Sequence, residues 1–210
     1  MKIEVRNVTK KFQQEVVIDD ISLDLEPGII YGFIGRNGSG KSVFLKLLCA
    51  LYEPTKGEIL FDGMNVIKKK LFPPKTGALI EKPTFLPDLT GFENLKLLAS
   101  IQNKVPDEKI LEMLKKVNLY DAKDKKYKKY SLGMKQKLGI VQALMEDPEV
   151  IILDEPFNGV EEGTVLQIRK LLLEEKKRGK LIIIATHIKE DISELADIVY
   201  VFEQGKIIQK

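Results

Sequence analysis

Residues 35 to 42 read "GRNGSGKS", preceded by the apolar run "GIIYGFIG" and followed by the helical pattern "VFLKLLCALY". The stretch matches the G-x-x-x-x-G-K-[ST] phosphate loop in full and sits in the context that loop requires, after a buried strand and before a helix. Glycines at 35, 38 and 40 let successive backbone N–H groups turn inward around phosphate oxygens, where a Cβ would obstruct them. Lys41 can reach the β and γ phosphates of a nucleotide, and Ser42 can ligate Mg²⁺. The flanking strand and helix leave little room for the alternative, a chance glycine turn.

A phosphate loop needs an acidic partner for its metal, and "VIILDEP" supplies one. Asp154 closes an apolar strand, so its carboxylate should face the crevice beyond the strand's carboxyl end. Glu155 follows directly, and a carboxylate there, free of the metal, could polarise an attacking water as general base. His187, the single histidine of the chain, lies just past the strand "LIIIA". Its position fits a γ-phosphate contact or a group that holds the water, and fits equally an ordinary packed or exposed side chain.

The rest of the chain fills in around this loop. "KIEVRNV" and "ISLDLEPG" alternate as half-buried strands, and "PTKGEILFDG" returns to turn and strand. From about residue 84 to 146 the texture changes to helical spacing, in "TGFENLKLLASIQ", "PDEKILEMLKKVNL" and "GMKQKLGIVQALME". In the last of these, Met134, Leu138, Val141 and Met145 form one helical face, most simply a core stripe. Strands resume with "EVIILDE", "KLIIIATH" and "DIVYVFEQGKII", the last with a hairpin expected at Gln204 and Gly205. The expected division is therefore an α/β core over residues 1–83 and 147–210, interrupted by a helical insertion over 84–146.

Composition narrows the setting. At 210 residues the chain has room for one main core, and 44% hydrophobic with 31% charged residues is ordinary for a globular domain. Lys and Arg number 34 against 31 Asp and Glu, a net charge of +3 that does not by itself imply a nucleic-acid partner. Clusters at Lys68 to Lys70 and Lys123 to Lys129 read more simply as solvated surface than as contacts to acidic lipid or nucleic acid. The lone Cys49 cannot form an internal disulfide, which fits a reducing compartment. The first residues carry no apolar core of the secretory type, and no run approaches the roughly 20 apolar residues that span a bilayer. A role at a membrane would need other chains to provide the membrane part.

One stretch asks for a further explanation. "YSLGMKQKLG", residues 130 to 139, opens a helix with a serine and a glycine, a second anion-ready helix start in a chain that already has a phosphate loop. Taken in order, "GRNGSGKS", "YSLGMKQK", "VIILDEP" and "ATH" resemble the ATP-binding-cassette (ABC) ATPases across essentially the whole chain. "YSLGM" stands where that family usually has LSGGQ: Ser131 and Gly133 are kept, while Tyr130, Leu132 and Met134 differ. This form resembles a subset found in ABC-2 type exporters and in bacterial self-protection transporters for peptide antibiotics.

The resemblance implies a P-loop NTPase fold: an α/β core with an N-terminal antiparallel β subdomain and an inserted α-helical subdomain. It implies ATP as ligand, cradled by Gly35, Arg36, Asn37, Gly38, Ser39, Gly40, Lys41, Ser42 and Val43, with Phe12 as the adenine-stacking aromatic or else a core ring. It implies Mg²⁺ held by Ser42, Asp154 and Glu81, with catalysis by Glu155, His187 and Lys41. Glu81, in "GALIEKPTFLP", stands where the family usually has a glutamine that touches the metal and senses the transporter interface. Ser131 and Gly133 are expected to meet the γ-phosphate of ATP held by a second cassette, identical or a paralogue, and Glu161 to take the place of an aspartate that crosses that dimer. Separate integral-membrane permease subunits, a cytoplasmic position on the inner face of the membrane, export of a peptide, antibiotic or drug, and no nucleic-acid partner complete the expectation. The rival is a non-transport ABC protein, an ATP-gated clamp or an assembly scaffold. The chain stops soon after the last hairpin, so no regulatory domain beyond it is expected.

Overall fold

The computed structural model describes residues 1–102 and 105–209. Among these, the strands form two sheets. Strands β1 (Ile3–Phe12), β2 (Glu15–Leu25) and β4 (Lys56–Phe61) make an antiparallel sheet in the order β2-β1-β4. Strands β5 (Thr76–Leu79), β6 (Val150–Asp154), β7 (Leu181–Thr186), β3 (Ile30–Ile34) and β8 (Ile198–Glu203) run parallel in that order, and β9 (Lys206–Gln209) closes the edge antiparallel to β8.

β6 and β7 are buried along their whole length, as central parallel strands covered on both faces must be, which explains their unbroken apolar sequences. Their alternate residues divide between two cores. Ile151, Leu153, Ile182 and Ile184 face a core shared with the helices α2 (Gly91–Gln102), α3 (Asp107–Lys116), α4 (Leu132–Leu144) and α5 (Glu162–Lys177). Val150, Ile152, Leu181 and Ile183 face the opposite core, built with α1 (Lys41–Leu48), the antiparallel sheet and the rings of Phe33, Phe44 and Phe202. The two sheets are thus joined through one side of the parallel sheet while the helices between β5 and β6 cover the other.

Local chemistry sets the element ends. Thr90 and Glu93 form a reciprocal cap at the start of α2: the Thr90 hydroxyl accepts from the Glu93 amide at 3.1 Å and the Glu93 carboxylate from the Thr90 amide at 2.7 Å. The β8–β9 turn falls at Gln204 and Gly205, both with positive φ, as a two-residue hairpin requires. α4 departs from the single apolar stripe expected of it. Leu138, Val141 and Met145 are buried and Met134 packs against the same core, but Gly133, Gln136, Lys137, Gly139 and Ile140, on other faces, are buried too. Beyond its first turn the helix is enclosed on most sides, because the loop after β6 covers Gly133 and Gln136 while Leu79 and Pro83 close on Gly139.

Replacement of Ile183 by Ala should lower unfolding free energy by about 3 kcal/mol in a guanidinium titration, because it leaves a cavity in a strand covered on both faces. Ile208→Ala, at an exposed site, should change it by less than about 0.5 kcal/mol. Equal losses at the two sites would contradict this placement of the core.

Candidate nucleotide site

The parallel strands deliver their carboxyl ends to one edge. Register puts Ile34 of β3 beside Thr186 of β7, and Ala185 of β7 beside Asp154 of β6, so the loops that follow these strands converge. The loop after β3 leads into α1 through Gly40, whose φ of 107° lies in the region that favours glycine. A side chain there would also collide with the Val17 carbonyl, 2.8 Å from an added Cβ. No side chain caps α1, so its first-turn amides face the loop with no intrahelical acceptor. The hairpin turn braces the loop from outside: Gly205 N–H donates to the Ser39 carbonyl at 2.9 Å.

Lys41 curls back over the loop and donates from Nζ to the carbonyls of Gly35 (2.6 Å) and Arg36 (3.1 Å). Burial pushes its pKa down, opposed by the nearby carboxylates of Glu155 and Asp154. Ser39 Oγ is buried with no hydrogen-bond partner. A left-handed glycine hinge, an uncapped helix start, a buried ammonium and an orphaned hydroxyl around one cleft are what a polyphosphate would satisfy. That cleft, about 250 Å³, is lined by Val17, Asn37 to Val43 and Glu155.

Asp154 lies behind the loop, buried, where the Ser42 hydroxyl and the Glu81 amide favour its charged form. Burial raises its pKa above the ordinary carboxylate range, Ser42 lowers it, and neighbouring Glu155 raises it again. Among the described residues no group of three or more His, Cys, Asp or Glu could hold a metal unaided. Ser42 and Asp154 do fit Mg²⁺, a hard cation that takes one or two protein oxygens and completes its shell with phosphate and water.

Glu155 begins the turn after β6 with a φ of 48°, a left-handed conformation that costs a non-glycine residue on the order of 1 kcal/mol. Several bonds hold it there. Its amide donates to the Ala185 carbonyl at 2.8 Å, its carbonyl accepts from Gln136 Nε2 at 2.8 Å, and its carboxylate spans the end of β7. Oε1 lies 3.0 Å from the His187 amide and 2.7 Å from His187 Nδ1, and Oε2 lies 3.0 Å from the Thr186 hydroxyl. The two residues singled out as general base and γ-phosphate contact are therefore hydrogen-bonded to each other.

The remaining sequence candidates divide. Ser131 is exposed and caps α4, its hydroxyl accepting from the Met134 amide at 3.2 Å; its O–H proton is still free to donate outward. Gly133 is buried instead: an added Cβ would lie 2.3 Å from the Gly159 carbonyl, so packing demands glycine there whatever else its amide does. Phe12 does not line the cleft. Its ring is 38% exposed and meets Tyr52 edge-on, with the Lys10 ammonium above it. The Glu81 carboxylate is paired with Lys46, one turn along α1 from Ser42, and only its amide reaches Asp154. Sequence reading passed over Lys46, Gln136, Lys137 and Thr186. The last three lie inside quoted motifs, but a period count sorts apolar faces and is silent on which polar side chains a covering loop will bury.

A family model described as ABC transporter matches residues 18–158. The chain belongs to the ABC transporter family. Among ABC relatives, it is 43% identical to the uncharacterized ABC transporter ATP-binding protein YybJ of Bacillus subtilis (strain 168), over 98% of this chain and 94% of that one. It is 37% identical to the bacitracin transport ATP-binding protein BcrA of Enterococcus faecalis, over 99% and 68% of the two chains. With the lantibiotic transport ATP-binding protein SrtF of Streptococcus pyogenes it shares 33% identity over 98% and 89%. Its fold matches a dimeric ABC transporter cassette, MJ0796, with a TM-score of 0.90 over 99% of this chain and 97% of that one at 23% identity. The expected ABC ATPase fold, α/β with an antiparallel β subdomain and helices, is thus the observed one.

A raised carboxylate pKa has a definite sign in stability. Asp154 binds its proton more tightly folded than unfolded, so it destabilises the nucleotide-free protein once pH exceeds the ordinary carboxylate range. Asp154→Asn should raise the melting temperature of that protein at neutral pH. The gain should shrink as pH falls toward about 4, where the carboxyl becomes neutral in both states. A lower melting temperature for the variant across the whole pH range would contradict the assignment.

Proposed function

We propose that this ABC protein is the ATP-hydrolysing subunit of a transporter, working with separate membrane-spanning subunits on the cytoplasmic face, where two cassettes close head to tail around two ATP molecules. The observation that carries this reading is the adjacency of Asp154 and Glu155 at one strand end: the first beside Ser42 of the phosphate loop, which favours its charged form, the second lining the loop's cleft and bonded to His187. Among the described residues no helix is long and apolar enough to cross a membrane. The bacitracin and lantibiotic names of the relatives favour a peptide antibiotic as cargo.

In this reading the loop amides and Lys41 exchange their present carbonyl partners for the phosphates, and Ser42 and Asp154 hold Mg²⁺. Bound Mg²⁺ supplies neutralisation of the charge that develops on the phosphate oxygens. Glu155 takes the proton of the attacking water, and His187, released from Oε1, contacts the γ-phosphate. Ser131 and the opening amides of α4 engage the nucleotide of the other cassette. Phe12, at the end of β1 and outside the cleft against Tyr52, is the ring that closes on the base. Residues 84–146 act as the module that carries Ser131 across, between the two parts of the core, 1–83 and 147–210.

Glu81 would report on the membrane partner. β5 runs from a groove of about 590 Å³, rimmed by the exposed Phe72 and Ile101, to Leu79, two residues before Glu81. Glu81 itself does not line that groove, so the strand is the link between a docked segment and the Asp154 amide contact.

Glu155→Gln should keep ATP affinity, lower turnover by about a hundredfold or more, and accumulate an ATP-bound dimer in sedimentation. Turnover at the parental rate would remove Glu155 from the role of base. Glu81→Gln should leave ATP binding unchanged but lower antibiotic resistance in cells that also express the membrane subunits. Full resistance in those cells would show that the glutamate has no special part in coupling.

A further inference from the structure

The loop that carries the general base is fastened to α4 at three places. Gln136 Nε2 donates to the Glu155 carbonyl at 2.8 Å. Gly133 packs so closely on the Gly159 carbonyl that no side chain could intervene. Lys137 Nζ donates to the Asn118 carbonyl at 3.1 Å and lies 3.4 Å from Glu161 Oε2. These contacts arise from neighbouring positions on one side of the helix and span the loop from its first residue to the N-cap of α5. Gln136 and Lys137 are 5% and 4% exposed, so water does not readily replace either.

The same helix begins at Ser131, five residues before Gln136 and about 7.5 Å away along the axis at a rise of 1.5 Å per residue. The backbone hydrogen bonds of the helix, beginning with the Lys135 amide on the Ser131 carbonyl, make it a rigid rod over that distance. Displacement of its first turn is therefore delivered to the Glu155 carbonyl. That carbonyl belongs to a residue in a left-handed conformation, so rotation of its peptide plane swings the carboxylate that now rests on His187 and Thr186.

We propose that Gln136 is a positioning residue that couples the helix start carrying Ser131 to Glu155 of the same chain, so that each site reaches its catalytic geometry only when Ser131 has engaged the other cassette's nucleotide. The inference rests on the head-to-tail arrangement proposed above and adds to it a direction: the signal enters at Ser131, runs through α4 and ends at the base of the chain that senses it. Gln136 does not line the phosphate cleft, and its hydrogen bond is to the backbone of Glu155.

The test, run at a pH that ionises the new carboxyl, compares Gln136→Leu and the isosteric Gln136→Glu, which then both lack the donor, with Gln136→His, which places a ring N–H at similar reach. All are made in the full chain and also combined with Glu155→Gln. Leu and Glu variants should bind ATP within about twofold of the parent and, in the Glu155→Gln background, still form the ATP-bound dimer. Their turnover should fall about tenfold or more, and the Hill coefficient for ATP should drop from near two toward one. Gln136→His should recover most of both. Should Leu not fold, the contrast between Glu and His carries the test alone. Parental turnover and cooperativity in the donor-free variants would overturn the proposal, as would loss of binding and dimerisation in parallel with turnover, the mark of a purely structural side chain. Failure of Glu155→Gln alone to dimerise with ATP would instead overturn the two-cassette reading beneath it.

Discussion

The arrangement depends on charges that are incomplete as they stand. A buried ammonium at Lys41 rests on carbonyls of its own loop, the start of α1 has no cap, and two adjacent carboxylates, Asp154 and Glu155, sit at the end of one buried strand. Each is tolerable because a neighbour partly compensates it: Ser42 and the Glu81 amide for Asp154, His187 and Thr186 for Glu155. A phosphate chain with its cation supplies both missing signs at once. Binding is thus favoured by the relief of unfavourable burial as well as by direct attraction, and the site trades stability of the empty protein for affinity.

The parallel sheet makes that concentration of charge possible. Strands buried on both faces pin their carboxyl ends in register, so Asp154 lies beside Ala185, Thr186 follows one residue on, and Glu155 can reach across to it. The antiparallel sheet adds Val17 and Asp19, which touch the loop's glycine and the β8–β9 turn. The Asp19 amide donates to the Gly205 carbonyl, and Gly205 in turn donates to Ser39. Three separated parts of the chain therefore immobilise a glycine-rich segment that would be mobile alone, and preorganise it for an anion.

α4 shows why a polar helix face can be internal. Its apolar stripe enters the core with the other helices, while Gly133 and Gln136 meet carbonyls of the loop after β6 and Lys137 meets the Asn118 carbonyl. Donors and a glycine suit that surface better than leucines would, since each buried carbonyl needs a partner. Glu81, where the resemblance leads one to expect a glutamine, is accommodated in a similar way. Lys46 neutralises the added charge, and the contact with Asp154 is made by a backbone amide that any residue could offer.

Much of this was legible in the residues. The phosphate loop, the acid pair, the hairpin at Gln204 and Gly205 and the run of helices between β5 and β6 follow from local rules: glycine's freedom, the apolar character of doubly covered strands, and the 3.6 and 2 periods. Those rules act within a few residues, so sequence alone determined which elements form and which chemical groups they carry. The tertiary structure decided which groups meet. That His187 bonds to Glu155, that Glu81 turns to Lys46, that Phe12 packs on Tyr52 outside the cleft, and that Gln136 reaches Glu155 are all outcomes of contacts between distant segments. Such contacts are selected by how whole elements pack together, and no local pattern records them.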